Sequence, residues 1–231
     1  SIYPMGGREN YNPIFYADIA MRSYVRAKEQ YNKLDFSADG FEEDLDFDLL
    51  REYVISTIIF STMCIEAFLN DYAAACLGDK EFYDYFDKLK IEGKFALIGK
   101  FVLSTEIDKG KSYYYRLRRL VKERNEYTHS KSKKLEGYHC YAEAPEIPID
   151  MLNQWEEQGI DPTPYREMLD SAKNALQAIR DIALFFDGHD AAADAIARLF
   201  CCGTEIPDKS GKDVRDDVLK ELHIENVVVV K

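Results

Sequence analysis

LLREYVISTIIFSTMCIEAFLNDYAAACL, residues 49–77, decides the fold class. It holds no glycine or proline and is closed by Gly78, a residue suited to the left-handed position that ends a helix. Read as one helix it is roughly 40 Å long at ~1.5 Å per residue. From Tyr53 to Leu77 it is apolar for about the length of a membrane span. It nevertheless carries Glu66, Asn70 and Asp71, and charges in mid-span are costly. The expectation is therefore the central, buried helix of a helical protein, with no membrane partner. Thr62, Glu66 and Asn70 are spaced i, i+4, i+8 and form one polar line on it. A carboxylate in that position needs a donor facing it.

Outward from this helix the pattern remains helical. Phe15 to Asn32 lacks glycine and proline, and its apolar residues at 15, 19, 24, 25 and 31 fit a helix loosely. Ser37 to Asp48 is acidic and reads as a turn, with Asp46 or Asp48 able to cap the long helix. Short helices are expected over 81–89 and 95–104, then a clean one over 112–130, with Leu117, Leu120, Val121, Arg124 and Thr128 along one stripe. Residues 135–163 contain Pro145, Pro148 and Pro162 and read as a long loop insertion, anchored by the single tryptophan, Trp155. Thr163 then Pro164 form a helix start, as N-cap and first helical residue, for a helix running to Gly188. Further helices are expected over 190–200 and 213–222, before the apolar tail Val227 to Val230. No β alternation precedes residue 220, so the class is all-α, a bundle of long helices with extra C-terminal helices.

Five cysteines, at 64, 76, 140, 201 and 202, form no Cys-x-x-Cys pair, and their number is odd. Reduced thiols in a cytoplasmic setting are expected. Ser1 to Asn12 carries no apolar run of the signal-peptide kind. The four histidines, 129, 139, 189 and 223, show no ligand spacing, so no metal and no cofactor is expected.

The net charge of −12 argues against a general nucleic-acid coat. Its distribution is uneven. Residues 109–134 hold ten Lys or Arg against Glu123 and Glu126, so this island carries +8 and the remainder −20. Within it lies Arg124-Asn125-Glu126-Tyr127-Thr128-His129. Such residues suit cleavage of an RNA phosphodiester. A histidine with a reference pKa of ~6.5 takes a proton from a ribose 2′-OH. An arginine fork holds charge beside the pentacoordinate phosphate. Asn125 orients the imidazole or the phosphate. On a helix, Arg124 and His129 are about 140° apart, so the long guanidinium stem must curl to reach the same groove. Arg116, Arg118, Arg119, Lys122, Lys131, Lys133 and Lys134 are the candidate RNA-binding cations, and Tyr113, Tyr114, Tyr115 and Tyr127 the candidate stacking rings. On spacing alone Arg-x4-His is a weak pattern, and bundle packing is the ordinary role for the tyrosines.

Arg124-Asn125 to His129 resembles the signature of the HEPN superfamily, and Ser61 to Asp71 is similar to that superfamily's second core helix. The resemblance covers residues 12–187, with 135–163 as an insertion; residues 188–231 form a C-terminal extension outside it. It implies an up-and-down bundle of four or five helices and a homodimer in which both signatures meet at one cleft. It also implies a metal-independent endoribonuclease of toxin or phage-defence type, with RNA as substrate and an antitoxin or regulatory protein as partner. Arg124, Asn125 and His129 carry over as catalytic residues; Glu66, with Asn70 beyond it, carries over more loosely as support. Lys131 stands where some relatives paired with nucleotidyltransferase antitoxins have a modified tyrosine, which puts that route of regulation in doubt. The alternative is an inactive HEPN-like module that binds RNA, nucleotide or a partner protein without turnover.

Overall fold

The computed structural model describes residues 12–37, 44–128, 161–201 and 204–224. Helix α1 spans Asn12–Tyr31, α2 Asp44–Leu77, α3 Asp79–Glu81, α4 Ile91–Phe101, α5 Ser112–Thr128, α6 Thr163–His189 and α7 Arg215–Glu221. α3 runs on into a π-helical turn, Phe82–Phe86, and a second such turn is Ala197–Cys201. Among the described residues there is no strand, only one isolated bridge between Pro207 and Asp213. The protein is all-α.

α2 is the axis on which α1, α4, α5 and α6 pack. At 34 residues it is about 50 Å long. It is long and apolar enough to cross a membrane, but half of its most apolar stretch is buried inside the protein. Gly78 ends it at φ +93°, with its N–H donated to the Ala74 carbonyl at 3.0 Å. The start differs from expectation. α2 begins at Asp44, so Asp46 and Asp48 lie inside it rather than capping it. The Asp46 carboxylate instead accepts the Gln30 amide at 2.5 Å, which fastens the end of α1.

Three sets of contacts fix helix directions. Gln30 meets Asp46 and Tyr16 meets Phe60, so α1 runs antiparallel to α2. Phe47 meets Tyr165 and Phe68 meets Phe186, so α6 runs parallel to α2. Tyr113 meets Phe185 and Arg119 meets Ser171, so α5 runs antiparallel to α6. The four long helices thus alternate in direction along the chain. α1 buries Ala17, Ala20, Met21, Tyr24 and Ala27, while Phe15 is left 58% exposed. Alanines share its inner face with Met21, Tyr24 and Val25. The densest packing is edge-to-face: the Phe186 ring meets Phe68 at 4.9 Å and Tyr72 at 4.7 Å, and Phe95 meets Phe185 at 4.9 Å. Such pairs each contribute about 0.5–1.5 kcal/mol beyond area burial.

Two further expectations change. Pro162, not Thr163, is the N-cap of α6, and Thr163 is the first helical residue, its N–H donated to the Asp161 carboxylate at 2.9 Å. The helix expected over 190–200 is interrupted. Asp190 accepts the Ala192 N–H at 3.0 Å, and Asp187 accepts those of Ala195 and Ile196 at 2.5 and 3.0 Å. These carboxylates compete with helical backbone bonds and make a turn before the chain coils again.

The segment after α6 enters the same core through Ile196, Leu199, Phe200, Ile206, Val218 and Leu222. Arg215 clamps it to α1. Its guanidinium donates to Asp18 at 2.6 Å and to the Phe200 and Thr204 carbonyls at 2.7 and 3.0 Å. Asp18 also accepts the Thr204 N–H at 2.9 Å. At the other end of α7, Glu221 accepts hydrogen bonds from Tyr24 and Lys28, both at 2.6 Å, and pairs with Lys173 at 3.2 Å. The tail Val227 to Val230 and Trp155 lie outside the described residues.

Candidate functional site

α5 carries the candidate site, and its three faces have different surroundings. Leu117, Leu120 and Val121 are buried. They set the helix rotation, and with it the place of every cation. Arg116 and Arg119 face α6. Arg116 bonds to the Asp181 carboxylate, which also accepts Arg180 at 2.6 Å. Arg119 donates to Glu123 at 2.8 Å and to Ser171 at 3.0 Å. These two arginines of the basic island are therefore consumed by ion pairs within the fold.

The outward face is different. Arg118, Lys122 and Asn125, at i, i+4 and i+7, are all exposed. Lys122 makes only a loose pair with Glu126 at 3.8 Å, both side chains being well exposed. Such a pair contributes little. Arg124 is half-buried on the stripe of Leu117 and Val121. It makes no ion pair with any described residue, and the Thr128 hydroxyl donates to its carbonyl at 2.8 Å. His129, Lys131, Lys133 and Lys134 lie outside the described residues.

The polar line on α2, with the candidate supports Glu66 and Asn70, makes no hydrogen bond or ion pair with Arg124. Glu66 pairs with Lys94 of α4 at 3.0 Å, and that lysine is only 2% exposed. The Thr62 hydroxyl donates to the Ile58 carbonyl of its own helix at 2.8 Å. The Asn70 carbonyl oxygen is buried without a hydrogen-bond partner. The reason is axial distance. Because α5 is antiparallel to α2, the Arg124 end of α5 lies near the start of α2, where Phe47 packs on Tyr165, next to the Pro164 that shares a groove with Tyr127. Glu66 is 19 residues beyond Phe47, about 28 Å along the helix.

The tyrosines divide as well. Tyr113 packs on Phe95 and Phe185, and its hydroxyl accepts the Asp108 N–H at 2.9 Å. Tyr114 and Tyr127 are half-buried against the core, and Tyr115 is 66% exposed. Burial raises the Tyr127 hydroxyl pKa above its ordinary value, with Glu123 adding to the shift and Arg51 opposing it.

Between α5 and α6 runs an open groove of about 720 Å³, with Tyr127, Pro164 and Met168 in its lining. Glu123, Glu126, Glu167 and Asp170 line it against Arg119 and Lys173, which are themselves paired with Glu123 and Glu221, so its wall is net acidic and a poor path for a phosphate backbone. The acidic wall went unread in the sequence, although Glu167 and Asp170, three apart at the start of α6, were its signal. Of the other histidines, His189 stacks on Phe185 and His223 is exposed beyond α7. Among the described residues no three His, Cys, Asp or Glu side chains are grouped to hold a metal. Cys64 is buried, and burial pushes the half-buried Cys76 thiol up to about 11.

Compared with protein-family models, curated proteins and solved structures, the chain finds no match.

Proposed function

We propose that the protein is a metal-independent endoribonuclease of HEPN type, working through Arg124, Asn125 and His129. The observation that carries the reading is the state of Arg124. Arg26, Arg116, Arg119, Arg180, Arg198 and Arg215 are each bonded to a carboxylate. Arg124 is not; of the other described arginines without a carboxylate, Arg22 donates to Thr204 and the Glu205 carbonyl, and Arg51, Arg118 and Arg166 are exposed, so Arg124 is the half-buried one left without a partner among the described residues. A half-buried guanidinium without a carboxylate partner is poised for an anionic ligand.

In this reading His129 takes the proton of the ribose 2′-OH. The 2′-oxygen attacks phosphorus, the bond from phosphorus to the 5′-oxygen breaks, and the products are a 2′,3′-cyclic phosphate and a 5′-hydroxyl. Arg124 holds the charge that builds on the phosphoryl oxygens. The leaving oxygen needs a proton, and a second copy across a two-fold axis supplies another histidine for it, so the working form is a homodimer. Arg118 and Lys122 hold the strand. The site is suited to a cytoplasmic toxin or defence effector held in check by a partner protein.

The test is incubation of the protein with single-stranded RNA in EDTA. Wild type is expected to leave 2′,3′-cyclic ends, and His129→Ala and Arg124→Ala to leave the RNA intact. Equal behaviour of wild type and His129→Ala refutes the reading. Salt-dependent binding without turnover points instead to an inactive HEPN-like module.

A further inference from the structure

We infer that the α5–α6 groove, with two exposed apolar side chains at one end of it, is the docking surface for a basic amphipathic helix of a partner protein; this stands apart from the ribonuclease reading.

The surface is continuous along α6. Glu167, Asp170, Asn174 and Gln177 line the groove at i, i+3, i+7 and i+10, and Leu184 follows Gln177 by two turns on the same stripe. On α5, Tyr115 stands one turn before Arg119, which also lines the groove. Arg116, next to Tyr115, is bonded to Asp181, one turn before Leu184, so Tyr115 and Leu184 lie at the same end of the surface. They are 66% and 52% exposed. From Glu167 to Leu184 the stripe is about 25 Å long.

Its chemistry changes along that length. At the Tyr127 end, Glu167 and Asp170 are exposed and make no ion pair with a described residue, and Glu126 has only its loose pair with Lys122. In the middle, the half-buried amides of Asn174 and Gln177 have no hydrogen-bond partner among the described residues. At the far end stand the exposed tyrosine and leucine. An open furrow of this length between two antiparallel helices has the shape of a third helix. Charge then fixes the kind of helix. The free groups on the wall are acidic and the whole chain carries −12, so both the local and the long-range field favour a cation. Arg118 and Lys122 stand on the outward side of α5 and confine the partner's cations to the α6 side. A second copy does not supply them. A two-fold contact sets the groove against itself, and its own cations, Arg119 and Lys173, are already paired with Glu123 and Glu221.

Designed helical peptides, added to the full chain, test this. Each carries leucines spaced i, i+3, i+4 and i+7 in one half and lysines on the same stripe in the other. Two orders, leucines first and lysines first, cover both directions in the groove. The controls carry glutamate for lysine, or the same residues scrambled. By fluorescence anisotropy, one order of the lysine peptide is expected to bind at least about tenfold tighter than its controls, and to weaken with salt. Glu167→Lys with Asp170→Lys should weaken it about tenfold and make the glutamate peptide the better ligand. Leu184→Ser should weaken it about fivefold. These positions are exposed, so the melting temperature should hold in every variant.

Equal binding of the lysine and scrambled peptides overturns the inference, and so does a charge reversal that leaves the lysine peptide unaffected. Self-association of the wild type that the charge-reversed variant loses, read by sedimentation, also overturns it, because the groove then seats a second copy.

Discussion

Removing the Asp18 carboxylate should be among the most damaging single changes in this protein. Asp18 is 5% exposed and Arg215 8%. In Asp18→Ala the guanidinium keeps the Phe200 and Thr204 carbonyls but loses its counter-charge, and the Thr204 N–H loses its acceptor. Breaking a buried pair on one side costs about 3–5 kcal/mol, because the remaining charge is stranded. At about 2–4 °C per kcal/mol for a chain of this size, the melting temperature should fall by roughly 6–20 °C. Urea unfolding followed by circular dichroism measures the loss directly. The double variant Asp18→Ala with Arg215→Met should recover part of it, since no charge is then left buried. A loss below about 1 kcal/mol in Asp18→Ala, or a double variant worse than the sum of the singles, would refute the idea of a buried charge clamp.

Other perturbations follow the same logic. Burial would raise the Glu221 carboxyl, but hydrogen bonds from Lys28, Tyr24 and Lys173 outweigh it and hold the pKa below the ordinary 4.5. A lowered folded value means that its stabilisation is full above the unfolded pKa and is lost as pH falls through the folded one. The stability gap between wild type and Glu221→Gln should thus be flat from about pH 8 to 6 and close as acid is added below about pH 4, as read by urea titrations across pH. Glu66→Ala strands the Lys94 ammonium and should lose about 3 kcal/mol, whereas Lys94→Met should be near neutral, as denaturation curves will report. Glu66→Gln should cleave RNA like wild type in the EDTA assay, since Glu66 is far from Arg124; loss of cleavage with stability intact would return it to the site. Gly78→Ala forces a side chain into φ +93°, with its Cβ 3.1 Å from the Glu81 carboxylate, and should cost about 1 kcal/mol in thermal unfolding.

What the sequence made legible was whatever local chemistry controls. The apolar run ending at Gly78 marked α2, and Pro164 marked α6 to within a residue, because a left-handed glycine and an N-terminal proline act on their own backbone. The inner face of α1 was legible only at Tyr24 and Val25, since its alanines carry little periodic signal and Phe15 points away. The break in the helix after residue 190 depended on which N–H groups Asp187 and Asp190 would take, a choice made only when the chain folds back. The site followed the same division. Arg124-Asn125 stood out as a motif, but the sorting of the basic island did not. Arg116 is bonded to Asp181 and Arg119 to Ser171, 65 and 52 residues away, and nothing in residues 109–134 announces those partners.

The Asp18–Arg215 and Tyr24–Glu221 contacts each join residues 197 apart in a chain of 231. On a ribosome adding ~5–20 residues per second, the first helix waits about 10–40 s for these partners to be made. Until then the α1–α2 hairpin can form, yet Asp18 has no cation and Tyr24 no acceptor. A chain stopped before Arg215 keeps the four long helices and leaves Asp18 without its cation. The stretch from Thr204 to Glu221 therefore completes α1 rather than decorating it: a copy stopped before Arg215 should be measurably less stable than one that reaches Leu222.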